Sequence, residues 1–490
     1  MLTEEIFKRG SLETKKYKVY LIGIKGTGVC ALAELLHSAK CDVSGSHIPE
    51  EFYTDAILKK LNIPFYTDID PSRINKDIDL VIHSAAYTVE TNQELSKAQE
   101  LGIPILKYTD ALGELSKRYD STGVCGVHGK TTTTAMCGVL IRAVHLPAQV
   151  LTGSAVIDFD GMSTISLGNK YFIAETCEYR EHFLSFHPKR IILTSVESDH
   201  QDYFPTYESI RDAFVKYCRM LPEGGQLFYC ADDRGAADVA NIIRNEKRNI
   251  ELIPYGFTAE GDWRITSYRV DTGKGFFSVA GISNEFELTI PGKHEALNAA
   301  VSLALINELL KNENKKIDDN LIVDINKDFK NFKSTKRRSE IIGLANDIIF
   351  MDDYGHHPTA IKTTLEGIKS FYPNRRLIVS FMSHTFTRTS YLLDDFANAF
   401  NDADIVFFHK IYASAREDYK GGVNGVTLFE KTEAVRKSLQ KEKTFYYEEY
   451  HDAFEPLCGM LKPGDIFLTL GAGNNWPLGV KLLKYFEVKT

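Results

Sequence analysis

Gly126-Val127-His128-Gly129-Lys130-Thr131 holds the residue types that grip a polyphosphate, in the spacing such a grip needs. Glycines let backbone N–H groups curl around phosphate oxygens, Lys130 neutralises their charge, and the Thr131 hydroxyl can be placed on Mg²⁺. Thr132 follows at the start of a predicted helix, whose N-terminal dipole end adds to the attraction. A full Walker A would place glycine at 124, where this chain has Val124, so only the functional GxxGKT end is kept. The same residues also suit a glycine turn capped by threonines.

A second glycine loop, Gly23-Ile24-Lys25-Gly26-Thr27-Gly28, reads GxxGxG and not the dinucleotide GxGxxG. A tight strand–helix turn and a diphosphate site explain it equally well. Ser44-Gly45-Ser46 ends the next predicted strand and leads to His47 where an NAD site would have an acidic residue. Glu175 (in AETCE) and His200 (in ESDHQD) each lie just past a predicted strand end. In a parallel sheet such ends converge on the phosphate loop, where a carboxylate and an imidazole can complete a magnesium shell. A capped surface residue is the other reading of His200. Asp352-Asp353-Tyr354-Gly355-His356-His357-Pro358 suggests a site loop or a metal-binding histidine pair. Arg337-Arg338 is either a solvated hinge or a cation brought to a transferring phosphate by domain closure.

The elements that must position these residues are α/β. Short runs rich in Val, Ile and aromatics alternate with helix-length segments, which predicts parallel sheets flanked by helices. Strands are predicted at 18–24, 42–46, 80–84, 104–108, 171–175, 190–196, 348–351, 377–381, 405–409 and 466–470, and a helix at 291–310. The chain has 490 residues, enough for about three domains. Polar joints near Tyr119 and Phe332 divide it at 1–119, 120–332 and 333–490.

Composition excludes several classes. Hydrophobic residues at 43% and charged residues at 25% are ordinary globular values, not those of a disordered or fibrous chain. A net charge of -8 offers no global positive field for nucleic acid or anionic membrane. The eight cysteines are scattered without a CxxC pair, as reduced core thiols are. The N-terminus lacks an apolar signal segment, and no apolar run reaches about eighteen residues. A cytoplasmic protein without membrane insertion is expected.

Taken in order, the motifs resemble those of the Mur ligases, the ATP-dependent amino-acid ligases of peptidoglycan synthesis. The resemblance runs through GxxGxG, VSGS, HSAA, GxHGKTTTT, AE, ESDH, the HxxxN of His294–Asn298, RR, DDYGHHP, SHxxxRT and LGAGN. HGKTTTT together with DDYGHHP favours the alanine-adding branch. The resemblance implies three α/β domains: an N-terminal Rossmann-like UDP-binding domain, a central P-loop ATPase-like domain and a C-terminal Rossmann-like domain. It implies ATP, Mg²⁺, UDP-N-acetylmuramate and L-alanine as ligands, no nucleic acid, and a monomer or weak homodimer. The implied reaction has two steps: a carboxylate attacks the ATP γ-phosphate, and an amine then displaces phosphate from the acyl phosphate.

Roles carried over by position put Gly126, Gly129, Lys130, Thr131, Thr132, Asn298, Arg338 and Asp353 on ATP, with Asn298 on the adenine side and Asp353 on the ribose. Thr131, Glu175 and His200 become magnesium ligands. Gly23, Gly26, Thr27, Gly28, Ser44, Ser46 and Ser84 fall to the UDP-sugar, with His384 and Arg388 near its carboxylate and the incoming amino acid. Lys130 and Arg338 would act in phosphoryl transfer, and His357 is a candidate base by type only. The chain departs from the family pattern at Lys25, His47, Cys177, Tyr179, Glu295, Thr385 and Arg416, which touches the UDP and amino-acid ends more than the ATP centre. Rival expectations are a ligase adding a tripeptide or another amino acid to the same sugar nucleotide, a folate-type polyglutamate ligase, and a catalytically silent nucleotide-binding protein.

Overall fold

Five short apolar runs near the N-terminus form a parallel sheet in the computed structural model, which describes residues 16–413, 417, 421–441 and 443–488. They are β1 (Lys18–Ile22), β2 (Asp42–Ser46), β3 (Phe65–Tyr66), β4 (Leu80–His83) and β5 (Ile105–Lys107), in the order β3-β2-β1-β4-β5. Val19 to Ile22 are buried without alternation, as expected of a central strand covered on both faces. The helix α1 (Thr27–Ser38) leaves the C-terminal end of β1 through the first glycine loop.

A second sheet of seven strands has the order β12-β11-β10-β6-β9-β7-β8. Its members are β6 (Asp120–Cys125), β7 (Ala148–Leu151), β8 (Thr164–Ser166), β9 (Tyr171–Glu175), β10 (Arg190–Leu193), β11 (Gln226–Cys230) and β12 (Glu251–Tyr255). All pairs are parallel except β7 with β8. The helix α2 (Lys130–Ala143) follows β6 and is buried from Thr131 through Ile141, so it is a core helix and not a surface one. Both sheets belong to one contact unit, made of Met1–Glu197, Ile210–Arg264 and Asn298–Asp328.

The other unit comprises Ser198–Ser209, Ile265–Leu297 and Phe329–Thr490. It holds an antiparallel meander, β13 (Ile265–Asp271), β14 (Lys274–Val279) and β15 (Ile282–Leu288). It also holds a six-stranded sheet ordered β16-β17-β21-β18-β19-β20. These are β16 (Glu340–Ala345), β17 (Ile348–Asp353), β18 (Arg376–Phe381), β19 (Ile405–Phe408), β20 (Thr444–Tyr446) and β21 (Asp465–Leu470), with only β16 antiparallel to its neighbour. Side chains of β17 and β21 alternate between two cores. Ile349, Met351, Ile466 and Leu468 enter one, and Ile348, Phe350 and Phe467 enter the other.

Each predicted strand is present, with ends shifted by up to three residues; the predicted 190–196, for example, stops at Leu193. The helix expected at 291–310 runs Lys293–Asn312. The meander β13–β15 and the strands β3, β7, β8, β11, β12, β16 and β20 were not anticipated. All eight cysteines are free thiols. Among the described residues no helix is long and apolar enough to cross a membrane.

Candidate active site

The phosphate loop is held by the segment that follows β10. Val127 N donates to Ser195 O at 3.0 Å, and His128 N donates to Ser195 Oγ at 2.8 Å. Gly126 has φ +133°, and a Cβ there would stand 2.1 Å from Thr194 Oγ1, so only glycine fits. Lys130 opens α2 and folds its side chain back over the loop, where Nζ donates to Gly126 O and, at 2.9 Å, to Glu178 Oε2. Burial opposes the Lys130 charge, but Glu178 first, then Cys177 and Glu175, more than offset this, so its pKa is raised and the side chain is an ammonium. Thr131 and Thr132 are buried beside it.

Neighbouring strands complete this end of the sheet. Glu175 ends β9, in register with Val124 of β6, and its Oε2 accepts from Gly153 N at 2.7 Å. Asn298 Oδ1 accepts from Thr133 Oγ1 at 3.0 Å and lies against Gly129. The sequence reading brought Gly126, Gly129, Lys130, Thr131, Thr132, Glu175 and Asn298 to one place, and the first unit does the same. Thr131 and Glu175 are hard oxygen donors, the set that suits Mg²⁺. Glu178 was missed, although it stands in the AETCE segment three residues beyond Glu175. The pairing of His128 Nε2 with Glu197 Oε1 was missed as well.

The first glycine loop is built differently. Gly23 N and Ile24 N donate to Ser46 O at 2.8 and 3.1 Å, so Ser46 supports the loop through its backbone. Its hydroxyl, expected on the UDP-sugar, is instead buried and donated to Glu94, which also accepts from Tyr20 at 2.9 Å. Ser44 is half-buried on β2. Ser84 packs its Cβ against Gly23, and Thr27 follows Gly26, the N-cap of α1. The Tyr108 ring lies 2.7 Å from where a Gly28 Cβ would stand. Its hydroxyl pKa is raised, by burial first and by the Glu175 carboxylate second, which puts Tyr108 within electrostatic reach of the end of β9.

Lys25 and His47, both expected to depart from the family pattern, pack on one ring. Lys25 is buried; its Nζ donates to Glu50 O, pairs with Asp55 Oδ2 at 3.5 Å and sits 5.2 Å from the Phe52 ring centroid. His47 stacks on that same ring at 5.0 Å, and burial, then Lys25, push its pKa down to about 4. Lys25 therefore faces inward.

The second unit gathers the rest. Arg337 is tied down, with Nε on Asp352 Oδ2 at 2.9 Å and a terminal nitrogen on Gly471 O at 2.6 Å. Among the described residues the Arg338 guanidinium has only the Tyr354 ring, 5.3 Å away, which leaves its donors for an anion. Asp353 accepts from Ser339 N and Gly355 N, both at 2.6 Å, and so shapes the loop that carries Arg338. His357 was expected as a candidate base. Its Nδ1 accepts from Thr359 N at 3.3 Å, capping the helix Pro358–Phe371, while Nε2 faces Ser198 O at 3.1 Å. Both ring nitrogens are thus engaged, and the lone pair a base needs serves the cap.

His200, at φ +54°, receives support from Asp199, whose Oδ1 accepts from His200 N at 2.7 Å and from Arg388 Nε at 2.8 Å. Burial would raise the Asp199 pKa, yet Arg388 leads the charges that hold it well below the carboxylate range. Arg388 NH1 reaches His384 Nδ1 at 3.3 Å, and His384 stacks on Tyr412 at 6.0 Å. Arg388, expected near the substrate carboxylate, is therefore a buried half of an ion pair. Thr385 caps the helix Phe386–Tyr391 at φ +67°. Glu295 finds His294 Nε2 at 3.2 Å, which accounts for a carboxylate where the family has asparagine. Cys177 is exposed, and Tyr179 packs edge-on to His182. Arg416 lies outside the described residues.

Comparison with known proteins agrees over the whole chain. Residues 18–120 match the Mur ligase family catalytic domain, 124–306 the Mur ligase middle domain, and 337–473 the Mur ligase glutamate ligase domain. The chain is 47% identical to a UDP-N-acetylmuramate–L-alanine ligase of Treponema pallidum, over 98% of this chain and 99% of the relative. It is 39% identical to the Borreliella burgdorferi protein of the same name, over 94% and 97%. The crystal structure of a UDP-N-acetylmuramate–alanine ligase from Thermotoga maritima shares the fold with a TM-score of 0.77 at 24% identity, covering 96% of this chain and 100% of that one. The three-domain α/β architecture expected from the motifs is the one found.

Proposed function

The chain belongs to the Mur ligase family, and from that premise we propose that it joins L-alanine to the carboxylate of UDP-N-acetylmuramate, converting ATP to ADP and phosphate. The observation that carries this reading is the Gly126–Thr131 loop, with Lys130 charged and Glu175 beside it, in a chain 47% identical along nearly its full length to a relative bearing that name.

The substrate carboxylate oxygen attacks the γ-phosphorus as the bond to the β-phosphate oxygen breaks, releasing ADP and leaving an acyl phosphate. The L-alanine amine then adds to the acyl carbon, and the tetrahedral intermediate expels phosphate as the amine loses its proton. Phosphoryl transfer asks the protein chiefly for positioning and charge neutralisation. Lys130 supplies positive charge at the loop, and Arg338 offers guanidinium donors that nothing among the described residues claims. Thr131 and Glu175, with His200 as the family pattern has it, would hold Mg²⁺, which neutralises phosphate charge when bound. Asp199 and Arg388 orient His200 and His384. We place the enzyme in the cytoplasm, where its nucleotide substrates are made, and keep the domain limits 1–119, 120–332 and 333–490.

The test is a panel of amino acids and peptides with UDP-N-acetylmuramate, ATP and Mg²⁺, with product masses read out. L-Alanine is expected to lead, with glycine and L-serine within about 10–200-fold, because one methyl or hydroxyl is weakly discriminated in a small pocket. A tripeptide or bulky amino acid used far better would move the chain to another branch. No ADP release with any member would overturn the reading.

A further inference from the structure

Lys130 Nζ has a full set of acceptors within the chain itself. An ammonium carries three protons, and here they face Gly126 O, Glu178 Oε2 at 2.9 Å and Val127 O at 3.5 Å. Two of these acceptors are carbonyls of the loop itself. The third is a carboxylate with 3% of its side chain exposed.

The backbone that carries Glu178 is held on both sides. Thr176 N donates to Val124 O at 2.8 Å, which pins the segment to β6. Glu181 N donates to Glu178 O at 2.8 Å, and Phe183 N donates to Cys177 O at 2.9 Å, closing a tight turn. Phe183 anchors that turn in the core, stacked on Tyr217 at 4.5 Å. The mobile partner is the lysine, with four rotatable side-chain bonds. A phosphate and a carboxylate competing for one ammonium also repel each other, so the two contacts oppose one another.

We propose that Glu178 is a built-in counter-ion that occupies Lys130 in the empty enzyme and that the nucleotide phosphates must displace. This rests on the reading of Gly126–Thr131 as the ATP loop. The ion pair keeps the loop charged and shaped, and it lowers apparent nucleotide affinity by the fraction of molecules in which Lys130 is paired away. Adenosine, which has no phosphate, does not experience that competition.

The experiment is isothermal titration of the full-length wild type and of Glu178→Gln with ADP in excess Mg²⁺, and with adenosine. Glu178→Gln should bind ADP about tenfold more tightly, with adenosine affinity unchanged. ADP affinity that is unchanged or weaker, or adenosine affinity that rises equally, overturns the proposal, because a merely structural Glu178 would loosen the site. Should the variant fail to fold, a crystal structure of the wild type with Mg²⁺ and ADP decides. Lys130 Nζ should then lie on phosphate and beyond hydrogen-bond reach of Glu178; persistence of the 2.9 Å contact overturns the idea. A wild type that binds no ADP at all would instead defeat the ATP-loop reading.

Discussion

The two glycine loops each follow a central parallel strand, each open a helix, and each carry one lysine, yet the chain uses those lysines in opposite ways. Lys130 folds back over its own loop, where its charge is held by the loop carbonyls and Glu178. Lys25 turns through the loop into the core and spends its charge on Asp55, Glu50 and the Phe52 ring. A lysine in a glycine loop is therefore no evidence of phosphate binding; the direction of its side chain is. The carboxylates nearby follow the same division, since Glu178 and Glu175 lie at the second loop while Asp55 lies beneath the first.

The largest effect should come from Lys130→Ala. Loss of a preorganised charge on a transferring phosphoryl group costs about 10²–10³ in rate, and because the buried Glu178 loses its ammonium partner the variant should also lose stability, so turnover is read per folded molecule. Retention of more than a tenth of wild-type turnover at saturating ATP would erase the contrast. Lys25→Met should cost stability without costing turnover. Breaking a buried pair typically costs about 3–5 kcal/mol, and the 15% exposure of the Asp55 side chain brings the expectation to about 2–3 kcal/mol. Denaturant unfolding would show the loss, with turnover per folded molecule near wild type at saturating substrate. A Lys25→Met enzyme of normal stability with a collapsed turnover would place Lys25 on the ligand after all.

Glu175→Gln sharpens the same contrast at the metal. The half-saturating Mg²⁺ concentration should rise about 10–100-fold, with turnover partly restored at high Mg²⁺. Ser46→Ala, at the first loop, should leave the magnesium dependence unmoved. Equal magnesium curves for wild type and Glu175→Gln would make the β9 carboxylate structural.

What the sequence could and could not convey follows the same physics. Strands covered on both faces, such as Tyr171–Glu175, are continuous apolar runs and were readable nearly to the residue. The meander β13–β15 was not, because its alternating faces are short and its charged residues, such as Arg269 and Glu285, pair across strands. Motif residues at strand ends were legible because a parallel sheet delivers them to one edge. Their partners were not: Asp199 and Arg388 are separated by 189 positions, and nothing local in either segment announces the other. Lys25 was noted as a departure, but the inward turn of its side chain depends on Asp55, thirty residues on. Glu178 stood in plain view, yet the left-handed residues Arg180 and Glu181 that shape its turn carry no turn signature.

The smallest effect concerns the helices that follow the two loops. Beside Asn298, α2 buries a threonine hydroxyl, whereas α1 buries a carboxylate, Glu34, against the second sheet. Its oxygens accept from Ser163 N at 3.1 Å and from Thr164 Oγ1 at 2.8 Å. Burial nevertheless dominates, and the Glu34 pKa is pushed up to about 7. A group whose folded pKa is raised contributes stability that is complete below its unfolded pKa and is lost as pH climbs through the folded value. Wild type should therefore lose stability relative to Glu34→Gln between about pH 4.5 and 7 and keep a constant deficit above that. The glutamine keeps an acceptor for both donors and never ionises, so its thermal midpoint at pH 8 should exceed that of wild type by about 2–4 °C. At pH 4.5 the two curves should meet. A gap that is independent of pH would mean that Glu34 is ionised in the folded protein throughout, and that α1 tolerates a buried charge as readily as the phosphate loop does.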